Sequence, residues 1–187
     1  MDILKSLALI FLIIIIDASV SCAHDLVWPG EKLKALFPAA ESFEQKNLYV
    51  SDEQRKNIEN ALGSKLPEED LQPSIYLAII RNSPDAPPRK AAAIMFIDAY
   101  GKGGKIEMGV VASGKGVLEN ILIFENNETE SIRQSSFLEQ FKGKRADDPF
   151  ITGEDISYPA LEGKSAQAIA SGAKRGLLII NEMFRKK

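Results

Sequence analysis

The stretch from Ser74 to Phe124 constrains the fold more than any other part of the chain. Ile75-Tyr76-Leu77-Ala78-Ile79-Ile80 reads as a buried strand, and Arg81 to Lys90, with Pro84, Pro87 and Pro88, reads as a turn region. Ala91 to Ala99 is a second strand, with Ile94, Phe96 and Asp98 marking alternate faces. Lys105 to Ala112 is a third, and Val117 to Phe124 a fourth. Gly101-Lys102-Gly103-Gly104 and Ser113-Gly114-Lys115-Gly116 are too short to hold the crossover that parallel neighbours need, so the order predicts an antiparallel meander. Neither glycine turn leads into a helical pattern, which phosphate-binding loops and dinucleotide fingerprints require. Both are therefore read as hairpin turns.

Helical signals flank this sheet. Ser51-Asp52-Glu53-Gln54 is a capping box, opening a helix that runs to about Leu62 with Ile58, Ala61 and Leu62 inward and Gly63 just past its end. Leu33, Leu36 and Phe37 fit a short helix face that Pro38 ends. A further helix is expected from near Ser131, with Ile132, Phe137, Leu138 and Phe141 apolar. Residues 145–163 read as a polar, solvated connector reaching across the sheet. Ile169, Ala173, Leu177, Ile180 and Phe184 then recur at helical spacing and predict one face of a terminal helix. The fold expected is α+β: a small antiparallel sheet of about four to five strands with packed helices.

Residues 1–23 carry a leader pattern: Lys5, ten apolar residues from Leu7 to Ile16, and Ser21-Cys22-Ala23 before His24. Ten apolar residues are short of the roughly 20 that span a membrane, which favours a cleavable signal peptide over an uncleaved anchor. Cys22 stands in a loose lipoprotein box with Ser19 where Leu is usual, so lipidation is a third alternative. Residues 24–187 are then a single domain, exported to the periplasm or the outer face of a bacterial inner membrane. The formal net charge of −3, with acids and bases interleaved, gives no strong basic footprint and argues against a nucleic-acid partner. The only histidine is His24, at the expected mature terminus, which argues against a catalytic triad, a histidine metal site or histidine-ligated haem. Glu68-Glu69-Asp70 has no ligand spacing and reads as a solvated charge run.

Ser171-Gly172-Ala173-Lys174 invites two readings. Small residues at a helix start let free N–H groups and the helix dipole hold an anion, typically phosphate. Alternatively, small residues mark where another element crosses a packed helix.

The order of these parts resembles the FMN-binding domain family, which includes the periplasmic flavin subunits of the sodium-pumping NADH:quinone oxidoreductase and of the Rnf complex. The resemblance rests on the strand–glycine turn–strand pair, Glu128-Thr129, Phe137-x-x-Gln140-Phe141-x-Gly143-Lys144, Ser171-Gly172-Ala173 opening the terminal helix, and Leu36-Phe37-Pro38-Ala39-Ala40. It covers residues 33–185 and implies an electron-transfer module whose FMN carries the redox chemistry. A redox partner protein, in a membrane electron-transfer complex, is implied with it. The family pattern has Asp three residues before the Ser and Thr after Gly-Ala, the Thr carrying FMN through a phosphoester. Here those positions are Ala168 and Lys174, so that covalent link cannot form. The resemblance then implies non-covalent FMN, with Ser171, Gly172, Ala173 and Lys174 around the phosphate and Glu128 and Thr129 near the ring. The alternative is a structural or interaction protein that keeps the fold and has lost the flavin.

Overall fold

The computed structural model describes residues 28–158 and 162–185. Residues 1–27, which hold the expected leader, Cys22 and His24, lie outside the described residues. Five strands form one antiparallel sheet in sequence order: β1 (Ser42–Asn47), β2 (Ser74–Ile80), β3 (Arg89–Tyr100), β4 (Lys105–Ser113) and β5 (Leu118–Asn126). The expected meander is present, extended by β1, which pairs with β2 from Ser42 opposite Ile79 to Asn47 opposite Ser74. The α+β class and the strand count follow expectation.

Period-2 alternation divides each strand between two apolar layers. Ile75 and Leu77 of β2, Ala93, Met95 and Ile97 of β3, Met108 and Val110 of β4, and Ile121 of β5 face the larger layer. Tyr76, Ala78, Ala92, Ile94 and Val111 face the smaller one. Helix α1 (Gly30–Leu36) covers the smaller layer with Leu33 and Leu36. A Cβ on Gly109 would lie 2.3 Å from a Leu36 methyl, so a side chain there would push α1 off the sheet.

The larger layer lies under α2 (Asp52–Leu62), the connector and a long terminal helix, α4 (Gly163–Met183). Helix α2 has the expected capping box, with Ser51 Oγ accepting from the Gln54 N–H and Gln54 Oε1 from the Ser51 N–H, and Gly63 closes it at φ 71°. Ile58 is buried and Leu62 half-buried, but Ala61 is exposed, a correction to the expected inward set. The helix expected from Ser131 is instead a 3-10 turn (Glu130–Arg133), a single α turn α3 (Ser135–Leu138) and a second 3-10 turn (Glu139–Phe141). Its apolar residues still bury: Ile132, Phe137 and Phe141 lie in the core.

The connector differs from the solvated loop expected. Phe150 and Ile156 are buried in the main core, and Asp155 gathers the segment around itself. Its carboxylate accepts from the N–H groups of Phe150 and Ile151 and pairs with Lys144 Nζ at 2.6 Å. A largely polar segment hides this anchoring because, among its described residues, few side chains go inside.

Candidate functional site

Helix α4 begins at Gly163, eight residues before Ser171. Ser171 to Lys174 therefore occupy its third turn, where backbone N–H groups belong to the i→i−4 ladder and none is free for a ligand. This corrects the expectation that Ser171-Gly172-Ala173 open the terminal helix. Gly172 and Ala173 are buried against the sheet. A Cβ on Gly172 would stand 3.1 Å from Met108 Sδ, and one on Gly176 3.0 Å from a Val110 methyl. These glycines let α4 approach β3 and β4 closely, which is the packing alternative. Ile169, Ala173, Leu177 and Ile180 are buried as the spacing predicts, whereas Phe184 follows the last helical residue and is exposed.

Lys174 is employed within the chain. Its Nζ donates to the Asp148 carbonyl at 3.0 Å and stands 5.9 Å from the centre of the Phe150 ring. Lys144 Nζ lies 5.4 Å from the same ring. Phe150 is at φ 57°, unusual for a bulky residue, so the two ammonium contacts help hold a side chain whose backbone conformation is costly. Ser171 is exposed, and its Oγ accepts from Gln167 Nε2.

The Gln-Phe-x-Gly-Lys segment is a clasp. Gln140 exchanges two hydrogen bonds with the Ser157 backbone, accepting at 2.7 Å and donating at 2.9 Å. Phe141 fills the core, and Gly143 at φ 88° turns the chain so that its N–H reaches the Leu118 carbonyl. Lys144 closes on Asp155. Gln140, Phe141, Gly143 and Lys144 each have a structural task.

Glu128 and Thr129 are brought to the true start of α4. Glu128 Oε1 accepts from the Gly103 N–H at 2.6 Å, and Oε2 from Ser165 Oγ at 2.7 Å. Ser165 Oγ in turn accepts from the Lys102 N–H at 3.0 Å. Thr129 Oγ1 donates to Glu162 Oε1 at 2.6 Å. The Gly101–Gly104 hairpin, the end of β5 and the first turn of α4 thus meet in one polar cluster. Its members Ser165 and Glu162 are buried. A Cβ on Gly101 would fall 2.3 Å from Glu128 Oε1, so the turn must be bare for the carboxylate to enter. The expected site residues do not converge: Ser171 lies six residues beyond Ser165, about 9 Å along the helix.

From the sequence Gly101 reads only as part of a hairpin turn, Glu162 as part of a solvated connector and Asp70 as part of a charge run; the cluster that Gly101 and Glu162 form with Ser165, and the pairing of Asp70 with Arg175, have no signal there. Asp70 lies in the 3-10 turn Glu68–Leu71, with Oδ2 2.8 Å from Arg175 Nε but without hydrogen-bond alignment, while Arg175 Nη2 donates to the Asp98 carbonyl at 2.6 Å. Burial pushes the Asp70 carboxyl up to about 6, and Arg175 offsets only part of that. The solvated charge run expected at Glu68-Glu69-Asp70 is therefore corrected at its last member. Among the described residues no group of His, Cys, Asp and Glu could hold a metal ion, and no helix is long and apolar enough to cross a membrane.

No protein-family model matches the chain, and no curated protein matches it in sequence.

Proposed function

We propose that the chain is an interaction domain that keeps an FMN-binding-type fold and holds no flavin at its terminal helix. The observation that carries this reading is the Glu128 carboxylate at the start of α4. A helix N-terminus is where an external phosphate finds its donors. Here Glu128 takes the Gly103 N–H and the Ser165 hydroxyl, and Thr129 and Glu162 bond to each other beside it. A phosphate entering this corner would meet two carboxylates, with the Gly103 N–H and the Ser165 hydroxyl already bonded to one of them.

A second reading retains non-covalent FMN and electron transfer to a redox partner. It is favoured by the meeting of Glu128, Thr129 and the glycine turn at one end of α4, with ring-side contacts there in place of Ser171–Lys174. Both readings keep the export implied by the leader pattern. One experiment separates them: the purified protein is titrated with FMN, and its visible spectrum and flavin fluorescence are recorded. A colourless protein with no quenching at micromolar FMN is expected. A yellow protein whose flavin is released by acid or heat overturns the flavin-free reading in favour of the second.

A further inference from the structure

The other end of α4 leaves part of the sheet uncovered. A cleft of about 490 Å³ opens there, between the last turn of the helix, the Ser113–Gly116 hairpin and the segment Arg145–Asp147. Its apolar surface comes from Leu77, Ala91, Ala93, Ala146, Ile180 and Phe184. The hollow exists because β3 presents only methyl groups where α4 ends. Phe184, just past the helix, stands half out of the protein at its edge.

The rim carries a charge opposite to that of the whole chain. Lys90, Lys115, Arg145 and Arg185 line the cleft against a single acid, Asp147, in a protein of formal net charge −3. The acids near these cations are loosely placed: Glu44 lies 3.3 Å from Lys90, Asp147 3.5 Å from Arg145 and Glu182 3.5 Å from Arg185. Such exposed pairs are worth little and can be given up to a ligand. Among the described residues Lys115 has no acidic partner within ion-pair distance. The C-terminal end of α4 disfavours an anion on its own side of the cleft. The opposite side has no such penalty, and there an antiparallel bridge from Val117 to Arg145 holds the Arg145 backbone against the hairpin that carries Lys115.

We propose that this cleft binds a small amphipathic organic anion, with its carboxylate or phosphate between Lys115 and Arg145 and its apolar body over Ala91 and Ala93 against Phe184. The volume lies within the range that takes a drug-sized ligand, and an apolar floor with a few convergent charges is the usual make-up of such a site. The cleft is distinct from the polar cluster at the start of α4, so the proposal stands whether or not FMN binds there.

The test is calorimetric titration of the full chain with dodecanoate, with dodecanol as the uncharged counterpart and inorganic phosphate as the headgroup alone. Saturable dodecanoate binding is expected. It should weaken at least about tenfold in K115E/R145E and in Ala91→Phe, which fills the floor, where tenfold corresponds to roughly 1.4 kcal/mol. Dodecanol should bind at least about tenfold more weakly, and phosphate alone should not compete. K102E, at the opposite end of α4, should bind as the parent does. Absence of saturable binding up to about 1 mM overturns the proposal. So does dodecanoate binding that the charge reversal leaves unchanged, or full competition by phosphate. Circular dichroism of each variant separates lost binding from lost fold, and the exposed K115E/R145E pair keeps the test decisive if Ala91→Phe does not fold.

Discussion

A Cβ added to Gly103 would lie 2.4 Å from the Asn127 carbonyl oxygen, a backbone atom that cannot swing aside. At Gly172 the nearest obstacle is the flexible Met108 thioether at 3.1 Å, and the site is in mid-helix, where Ala is favoured over Gly by about 1 kcal/mol. Gly103→Ala is therefore expected to destabilise by about 1–3 kcal/mol, while Gly172→Ala stays within roughly 1 kcal/mol of the parent because propensity and crowding oppose. Urea unfolding of the two variants checks the contrast, and equal losses would mean that α4 is seated more tightly on β4 than a thioether can accommodate. Lys174 makes a further case at this scale. Its ammonium holds the Asp148 carbonyl and the Phe150 ring, so Lys174→Glu should cost about 1–2 kcal/mol through the lost contacts. Any flavin affinity should be unaffected. A change in FMN quenching without a change in stability would restore Lys174 to a ligand role.

Helix α2 shows how local chemistry alone can specify an element. Its start and stop are written in Ser51, Gln54 and Gly63, and all three do in the structure what their residue types predict. Ser51→Ala removes the acceptor for the Gln54 N–H and should cost about 1 kcal/mol, read as a lower thermal midpoint with no loss of helix signal in the remaining elements. The long strands were equally legible, because their alternation is strong enough to fix both faces. Strand β1 was not: in Ser42-Phe43-Glu44-Gln45-Lys46-Asn47 only Phe43 is apolar, and its place comes from pairing with β2. The start of α4 was misread for a related reason. Lys164-Ser165-Ala166-Gln167-Ala168 favours a helix but lacks large apolar residues, so the glycines further on looked like the opening of the helix when they are its contact with the sheet. The polar cluster at Gly163 was invisible in sequence because Gly101, Glu128 and Ser165 are far apart in the chain and meet only through the β3–β4 hairpin.

Across the whole molecule, two kinds of carboxylate act in opposite senses on stability. Glu59 accepts from Lys65, Arg55 and the Leu66 N–H, which together hold it near pKa 2, below its ordinary 4.5. At Asp155 burial pushes upward, but Lys144 and the N–H groups of Ile151 and Phe150 outweigh it and hold the carboxyl low. Stability from such groups is present above their ordinary pKa and is lost as pH falls through the depressed folded value. Asp70 does the reverse. Its folded value is raised from 3.8 to about 6, by burial first, with Glu69 and Asp98 adding to it. The folded protein then binds the Asp70 proton more tightly than the unfolded chain does, and that stabilisation is complete below 3.8 and lost as pH rises through about 6. The unfolding free energy should therefore climb from pH 2 to about 4 and then decline toward pH 6; Asp70 contributes a loss on the order of 3 kcal/mol spread from pH 3.8 to about 6, offset by Glu59 as far as 4.5. The comparison with Asp70→Asn isolates the effect: the decline should disappear in that variant while the acid limb remains. Arg175→Leu leaves the carboxylate buried without its cation and should cost about 3–5 kcal/mol at neutral pH, but much less near pH 4, where Asp70 carries its proton. A loss independent of pH would assign Arg175 to packing and to the Asp98 carbonyl instead, and would remove the ion pair from the account of why α4 sits where it does.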